Sequence, residues 1–146
     1  MSDFYLSVGQ SVRFSKTVSE SDVYLFAGIT GDLAPVHVNA ELMERSAYGQ
    51  RIAHGALIVG FMSTLSSLMV EQAEDSHSKG ETPVSLGYDR VRFIGPVFFG
   101  DTVTLTYTVT AVDAERRRTT ADIEAKKQNG ETVAVATHIL KWVKKD

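Results

Sequence analysis

Residues 52–70 form the most apolar stretch of the chain, and that stretch limits what the rest can fold into. Leu57, Ile58, Phe61, Met62, Leu65, Leu68 and Met69 recur around a helix that leaves little room for a polar face. A helix of this kind, expected over residues 54–72, needs cover on most sides. His54, Ser63, Thr64, Ser66 and Ser67 fall within or beside it, which makes a membrane span a poor reading. The cover has to come from elsewhere in the chain. Residues 102–111 supply a clear candidate, because Thr102, Thr104, Thr106, Thr108 and Thr110 alternate with Val103, Leu105, Tyr107, Val109 and Ala111. That is the period-two pattern of a half-buried strand.

The remaining segments follow the same logic. Residues 11–18 read as a strand. Ser19 or Ser21 is placed to cap a helix over 22–28, which the run from Gly28 to Asp32 ends and Pro35 keeps from simply continuing. Asn39 is placed to cap a short helix over 40–47. Residues 74–82 are polar, contain Gly80 and read as an exposed loop closed by Pro83. Strands are expected over 84–93, 117–128 and 131–143, the last two joined through Asn129-Gly130, where both positions tolerate positive φ. A helical first half followed by a strand-rich second half gives an α+β domain rather than alternating βαβ units. A curved sheet of about five strands wrapped around the long helix satisfies both patterns. A helix lying on a flatter sheet is the alternative.

The chain has 146 residues, which suits a single domain over 1–146 with a core that needs no disulfide or structural metal. With no cysteine there is no thiolate metal site and no cysteine nucleophile, and the composition fits a reducing, cytoplasmic setting. The first ten residues lack the basic start and apolar run of a signal peptide. A net charge of −3 implies no broad basic surface, so neither nucleic acid nor a membrane is the expected partner. Arg116, Arg117 and Arg118 read as a solvated turn, with contact to an anionic group such as a coenzyme phosphate as the alternative.

Chemistry concentrates in two places. Gly31-Asp32-Leu33-Ala34-Pro35-Val36-His37 sets a carboxylate and an imidazole five residues apart across a turn stiffened by proline. Such a pair suits acid/base work near neutral pH, because histidine titrates there and a carboxylate fixes its orientation. Taken alone, the same residues also read as ordinary turn chemistry. The second place is Arg51-Ile52-Ala53-His54-Gly55-Ala56-Leu57, which enters the long helix. Free backbone N–H groups in a first helical turn can hold a carbonyl oxygen as it gains negative charge, and Gly55 permits close approach. His54 reads as a cap or core residue. Ser63 lies two turns further on, and Tyr48 stands before the helix as either pocket wall or core. No Gly-x-Ser-x-Gly elbow or phosphate-cradling loop is present. His77 and His138 form no metal-ligand spacing with His37 or His54; His77 is expected in solvent, and His138 is free to face either side of the last strand.

These segments resemble the MaoC-like (R)-specific enoyl-CoA hydratases. The resemblance rests on the Gly31 to His37 stretch, on Tyr48-Gly49-Gln50-Arg51-Ile52-Ala53-His54-Gly55, and on Phe93-Ile94-Gly95-Pro96-Val97-Phe98-Phe99-Gly100-Asp101. It implies a hot dog fold, a homodimer with sheets joined edge to edge, and reversible hydration of a trans-2-enoyl-CoA to an (R)-3-hydroxyacyl-CoA without metal or redox cofactor. By position it assigns Asp32 and His37 to water activation and proton delivery, the Gly55 N–H to the thioester oxygen, and Ser63 to a place beside the substrate. Apart from the resemblance, Tyr48, Leu57 and the residues after Gly80 are candidates to line the acyl pocket. The family usually carries Asn where this chain has Ala34, and an acidic residue where it has Asn39. A hot dog thioesterase and a non-catalytic acyl-CoA or acyl-carrier binding module are the competing functions.

Overall fold

The alternating threonine stretch forms a strand whose apolar face is sealed. In the computed structural model, which describes residues 4–146, that strand is β3 (Thr102–Asp113). Val103, Leu105, Tyr107 and Val109 are buried. A bulge between Val109 and Ala111 then shifts the phase, so Ala111, expected on the apolar face, is exposed instead. Around β3 the chain adds β1 (Ser11–Thr17), β2 (Glu81–Phe93), β4 (Arg118–Lys127) and β5 (Thr132–Lys144). They pair antiparallel in the order β1-β3-β4-β5-β2.

The apolar stretch is the helix α4 (Gly55–Gln72). It packs against β1 and β3 towards one edge of the sheet and against β5 and β2 towards the other, so the open sheet curves around it. This is the hot dog arrangement. Leu57, Ile58, Met62, Leu65 and Met69 are buried on the sheet side. Their transfer from water contributes on the order of 10 kcal/mol, an upper figure that already shows packing, not intrinsic propensity, holds the helix. The far side differs from expectation. Ala56, Gly60, Ser63 and Ser67 are exposed, and Val59, Phe61 and Leu68 are only half-buried. This chain covers its long helix on one side, not on most sides.

Three short helices precede α4. In α1 (Glu20–Thr30), Ser19 and Asp22 exchange side-chain and backbone hydrogen bonds in a capping box. The helix runs through Gly28 and ends at Gly31, whose φ of 81° is the left-handed conformation that closes helices. Pro35 does not merely block a helix; it opens α2 (Pro35–Val38), where its missing N–H costs nothing. Asn39 caps α3 (Ala40–Glu44) as expected, although that helix stops three residues short of position 47. The Asn129-Gly130 turn does join β4 to β5. Only Gly130 takes positive φ, at 85°, because the three-residue loop needs a single left-handed position after a type I turn.

The polar segment 74–82 is more ordered than its composition implies. His77–Lys79 forms a single 3-10 turn, β2 begins at Glu81, and Pro83 lies inside that edge strand, where proline is tolerated. Glu81 is buried. Its carboxylate accepts two hydrogen bonds from the Arg117 guanidinium and one from the Tyr5 hydroxyl. Arg117, read from sequence as a solvated turn residue, is therefore engaged, with its guanidinium over the Phe4 and Tyr5 rings and its backbone at φ 58°. The Arg117 hydrogen bond holds the Glu81 carboxyl below its ordinary value of 4.5.

That pair makes a prediction about stability. Arg117→Met strands a carboxylate among aromatic rings, and it is expected to lower the unfolding free energy by roughly 2 kcal/mol at pH 7. The figure is below that of a fully enclosed pair because the Arg117 side chain keeps 27% exposure. Because folding depresses the Glu81 pKa, its contribution is present above the unfolded value and lost as pH falls through the folded one. Urea titrations from pH 7 down to pH 3 are expected to show an acid limb in the parent that Glu81→Gln flattens. Equal stability of parent and Arg117→Met at pH 7 would rule out this role.

Candidate active site

The end of α1 builds the first half of the site. After Gly31, the Asp32 N–H donates to Thr30 Oγ1 at 3.2 Å, and Asp32 Oδ1 accepts from the Ala34 N–H at 3.3 Å. This local turn points the carboxylate outward, and its side chain is 53% exposed. Pro35 then starts α2, which carries His37 in its first turn. His37 is buried, with Nδ1 2.8 Å from the Ile52 carbonyl. A carbonyl only accepts, so Nδ1 carries the proton and Nε2 is left with a free lone pair. That Nε2 faces Asp32 Oδ2 at 3.9 Å. The gap exceeds a direct hydrogen bond. A single oxygen placed between the two atoms can touch both.

The second half comes from the approach to α4. Ile52 N–H donates to Val36 O at 3.1 Å, and Ala53 N–H to Val97 O at 2.8 Å. Arg51 pairs with Glu20 on α1 at 2.7 Å and stacks 4.7 Å over Phe99. Asp101 secures the facing strand-like segment, accepting from Phe98 N–H at 2.8 Å while paired with the nearly buried Lys127 at 3.0 Å. The stretches around residues 31–37, 48–55 and 93–101, far apart in sequence, thus meet. Where they meet lies a cavity of about 270 Å³ whose lining includes His37, Tyr48, Gly55, Ile58, Phe93 and Val97. Gly55 is the first residue of α4, so its N–H belongs to the first-turn donors that lack a carbonyl within the helix. The glycine permits a close approach: a Cβ there would stand 2.5 Å from Cε2 of the Phe93 ring, which would have to shift. A larger groove of about 570 Å³, lined in part by Arg90, Thr106 and Glu124, lies on the outer sheet face and shares no residue with this cavity.

His37, Tyr48 and Gly55 line the cavity, and Asp32 stands beside His37. Leu57 and Ser63 do not line it. Ile58 faces it with Gly55 because residues three apart share a helix face, whereas Leu57 turns into the core. Ser63 is exposed further along α4, near the Tyr88 hydroxyl. Two contributors lie in stretches that carry the resemblance, but neither was assigned a role at the site from sequence. Phe93 is an aromatic just ahead of the Gly95-Pro96 break. His54 is buried at the start of α4, as its core reading has it, yet its ring stacks on His37 with centroids 3.6 Å apart and its Nε2 lies 2.9 Å from the Asp32 carbonyl.

Asp32, His37 and His54 each offer a potential ligand atom within 4.8 Å of the others. The stacked rings, tilted by only 23°, direct their lone pairs along nearly parallel planes, so one ion meets both only if a ring rotates. The other histidines lie elsewhere. His77 is exposed. His138 is fully buried between Tyr107 Oη at 2.8 Å and Ser85 Oγ at 2.7 Å, and burial pushes it down to about 4.

Known proteins agree with this architecture. Residues 3–133 match the family model of the MaoC-like domain. An (R)-specific enoyl-CoA hydratase of Rhodospirillum rubrum is 38% identical over 122 residues, covering 81% of this chain and 78% of the relative. One from Aeromonas caviae is 30% identical over 97% of this chain and 98% of the relative. The solved structure of an (R)-hydratase from A. caviae involved in PHA biosynthesis superposes with a TM-score of 0.79 at 29% identity, covering 93% of this chain and 96% of that one. On the family match and the shared hot dog architecture, the chain belongs to the MaoC-like domain family.

Proposed function

We propose that this protein is an (R)-specific enoyl-CoA hydratase that adds water reversibly to a trans-2-enoyl-CoA, with Asp32 and His37 as its acid/base pair. One observation carries the assignment: the free Nε2 of His37 and Oδ2 of Asp32 face each other across 3.9 Å beside a cavity that opens on the start of α4. A water held between them has one partner that takes its proton and one that orients it. Its oxygen bonds to C3 of the substrate, the C2–C3 π electrons move onto C2 and the thioester oxygen, and the proton ends on C2. The Gly55 N–H stabilises that oxygen as it becomes enolate-like. This reading needs neither a metal nor a redox cofactor. The relatives named as (R)-specific enoyl-CoA hydratases support it.

The protein acts as a homodimer in this reading. Two features support that. One face of α4, with Ala56, Gly60, Ser63 and Ser67, is uncovered, and the edge strand β2 and the residue after it expose Leu86, Phe93 and Ile94 at 48%, 58% and 58%. An apolar sheet edge beside an uncovered helix face calls for a partner surface. Sedimentation equilibrium is expected to give twice the 16.0 kDa chain mass; a monomer at micromolar concentration contradicts the assembly.

Crotonyl-CoA tests the chemistry. Loss of the enoyl absorbance without release of free thiol is expected, and thiol release indicates a thioesterase instead. Asp32→Asn and His37→Ala are each expected to lower kcat by about 100-fold or more. Unchanged kcat in both indicates that the pair is structural. Gly55→Ala is expected to keep the fold, because the Phe93 ring is exposed and can swing away, while lowering kcat/KM through the obstructed approach to the helix N-terminus.

A further inference from the structure

We infer that His54 is the positioning residue that holds Asp32 and His37 in register with each other. The inference rests on the hydratase reading for its kinetic consequence, but its geometric content is independent of it. His54 is 2% exposed and occupies the N-cap position of α4 without capping it, since its side chain makes no cap hydrogen bond. What it does instead is bridge. Its Nε2 lies 2.9 Å from the Asp32 backbone carbonyl, so that nitrogen carries the proton. One ring face stacks on His37 at 3.6 Å and 23°, and Phe26 of α1 stands 4.8 Å from the ring. His54 therefore touches both members of the pair at once, one through the backbone and the other through its ring.

Among the described residues, no other side chain does this for Asp32. The remaining contacts of its turn are local: Thr30 Oγ1 takes the Asp32 N–H, and the Ala34 N–H reaches back to the carboxylate. Both lie within two residues and move with the turn. The His54 bond spans 22 residues and ties the turn to the start of α4, which also carries Gly55. With the Nε2 proton directed at Asp32 O, Nδ1 becomes a buried acceptor, and it has no hydrogen-bond partner among the described residues. An unpaired buried acceptor costs roughly 1–3 kcal/mol. A carbon in its place removes that cost, so a ring tied down by stacking alone has no need of nitrogen there. An imidazole brings that nitrogen together with Nε2, which makes the Asp32 contact.

Three substitutions separate the two contacts. His54→Phe keeps an aromatic ring on His37 and loses the bond to Asp32. His54→Gln keeps a donor of similar reach and loses the stack. His54→Ala loses both. With crotonyl-CoA, His54→Phe is expected to lower kcat about 10-fold or more with KM changed less than 3-fold and the melting temperature kept. His54→Gln is expected to recover part of kcat, and His54→Ala to fall lowest. Nitrogen-15 NMR of the imidazoles supplies a readout that needs no activity. His37 is expected in the Nδ1–H tautomer in the parent, with the His37 and Asp32 signals broadened or split in His54→Ala. Full kcat and unchanged His37 and Asp32 signals in His54→Phe and His54→Ala overturn the inference. An inactive parent that shows the expected NMR changes instead overturns the hydratase reading and leaves the positioning role standing.

Discussion

Burial of α4 against the inner face of the sheet is the constraint on which the other features depend. Once Leu57, Ile58, Met62, Leu65 and Met69 are committed to β1, β3, β5 and β2, the rotation of the helix is set. That rotation turns Ile58 and Gly55 together towards Phe93 and Val97 and leaves the small residues Ala56, Gly60 and Ser63 facing outward. The position of the helix start is then the position of its first-turn N–H groups. A site that uses those groups has to be assembled around them, and the segments on either side show how. Ala53 is tied to Val97 and Ile52 to Val36, so α2 and the segment before β3 are fastened to the same point.

The Asp32–His37 pair inherits its geometry from that fastening. The Ile52 carbonyl both belongs to the approach to α4 and accepts from His37 Nδ1. One backbone contact thereby chooses the tautomer and exposes Nε2 to Asp32. His54, the next residue but one, secures the Asp32 turn in the same way. Ala34, which stands where the resembled family usually has Asn, contributes only backbone groups to the turn: its N–H donates to the Asp32 carboxylate and its carbonyl accepts from the His37 N–H. The long-range hold on the turn comes from the start of the helix.

Much of this was legible in the sequence, for reasons that differ from residue to residue. The threonine alternation and the length of the apolar stretch are local patterns with one good structural answer each, so β3 and α4 were read almost to their ends. Ser19 and Asn39 were legible because capping is a contact within four residues. Arg117 was not, because its partner Glu81 lies 36 residues away in a segment whose polarity suggested solvent. Ala111 was lost to a bulge, which the alternation itself cannot announce. At the site, Asp32, His37 and Gly55 stood out by residue type, whereas helical phase, which the sequence alone did not fix, puts Ile58 and not Leu57 in the cavity wall. His54 was read as buried, which it is, but its partners are 17 and 22 positions away and no spacing rule reaches them.

The central claim is that water bound between Asp32 and His37 attacks carbon 3 of an enoyl thioester and not its carbonyl carbon. Turnover of crotonyl-CoA in water enriched in oxygen-18, followed by mass spectrometry and chiral analysis, tests it directly. The account predicts one heavy oxygen in the 3-hydroxyl group of an intact (R)-3-hydroxyacyl-CoA. Heavy oxygen in the carboxylate of a released free acid, or a product of (S) configuration, would contradict it.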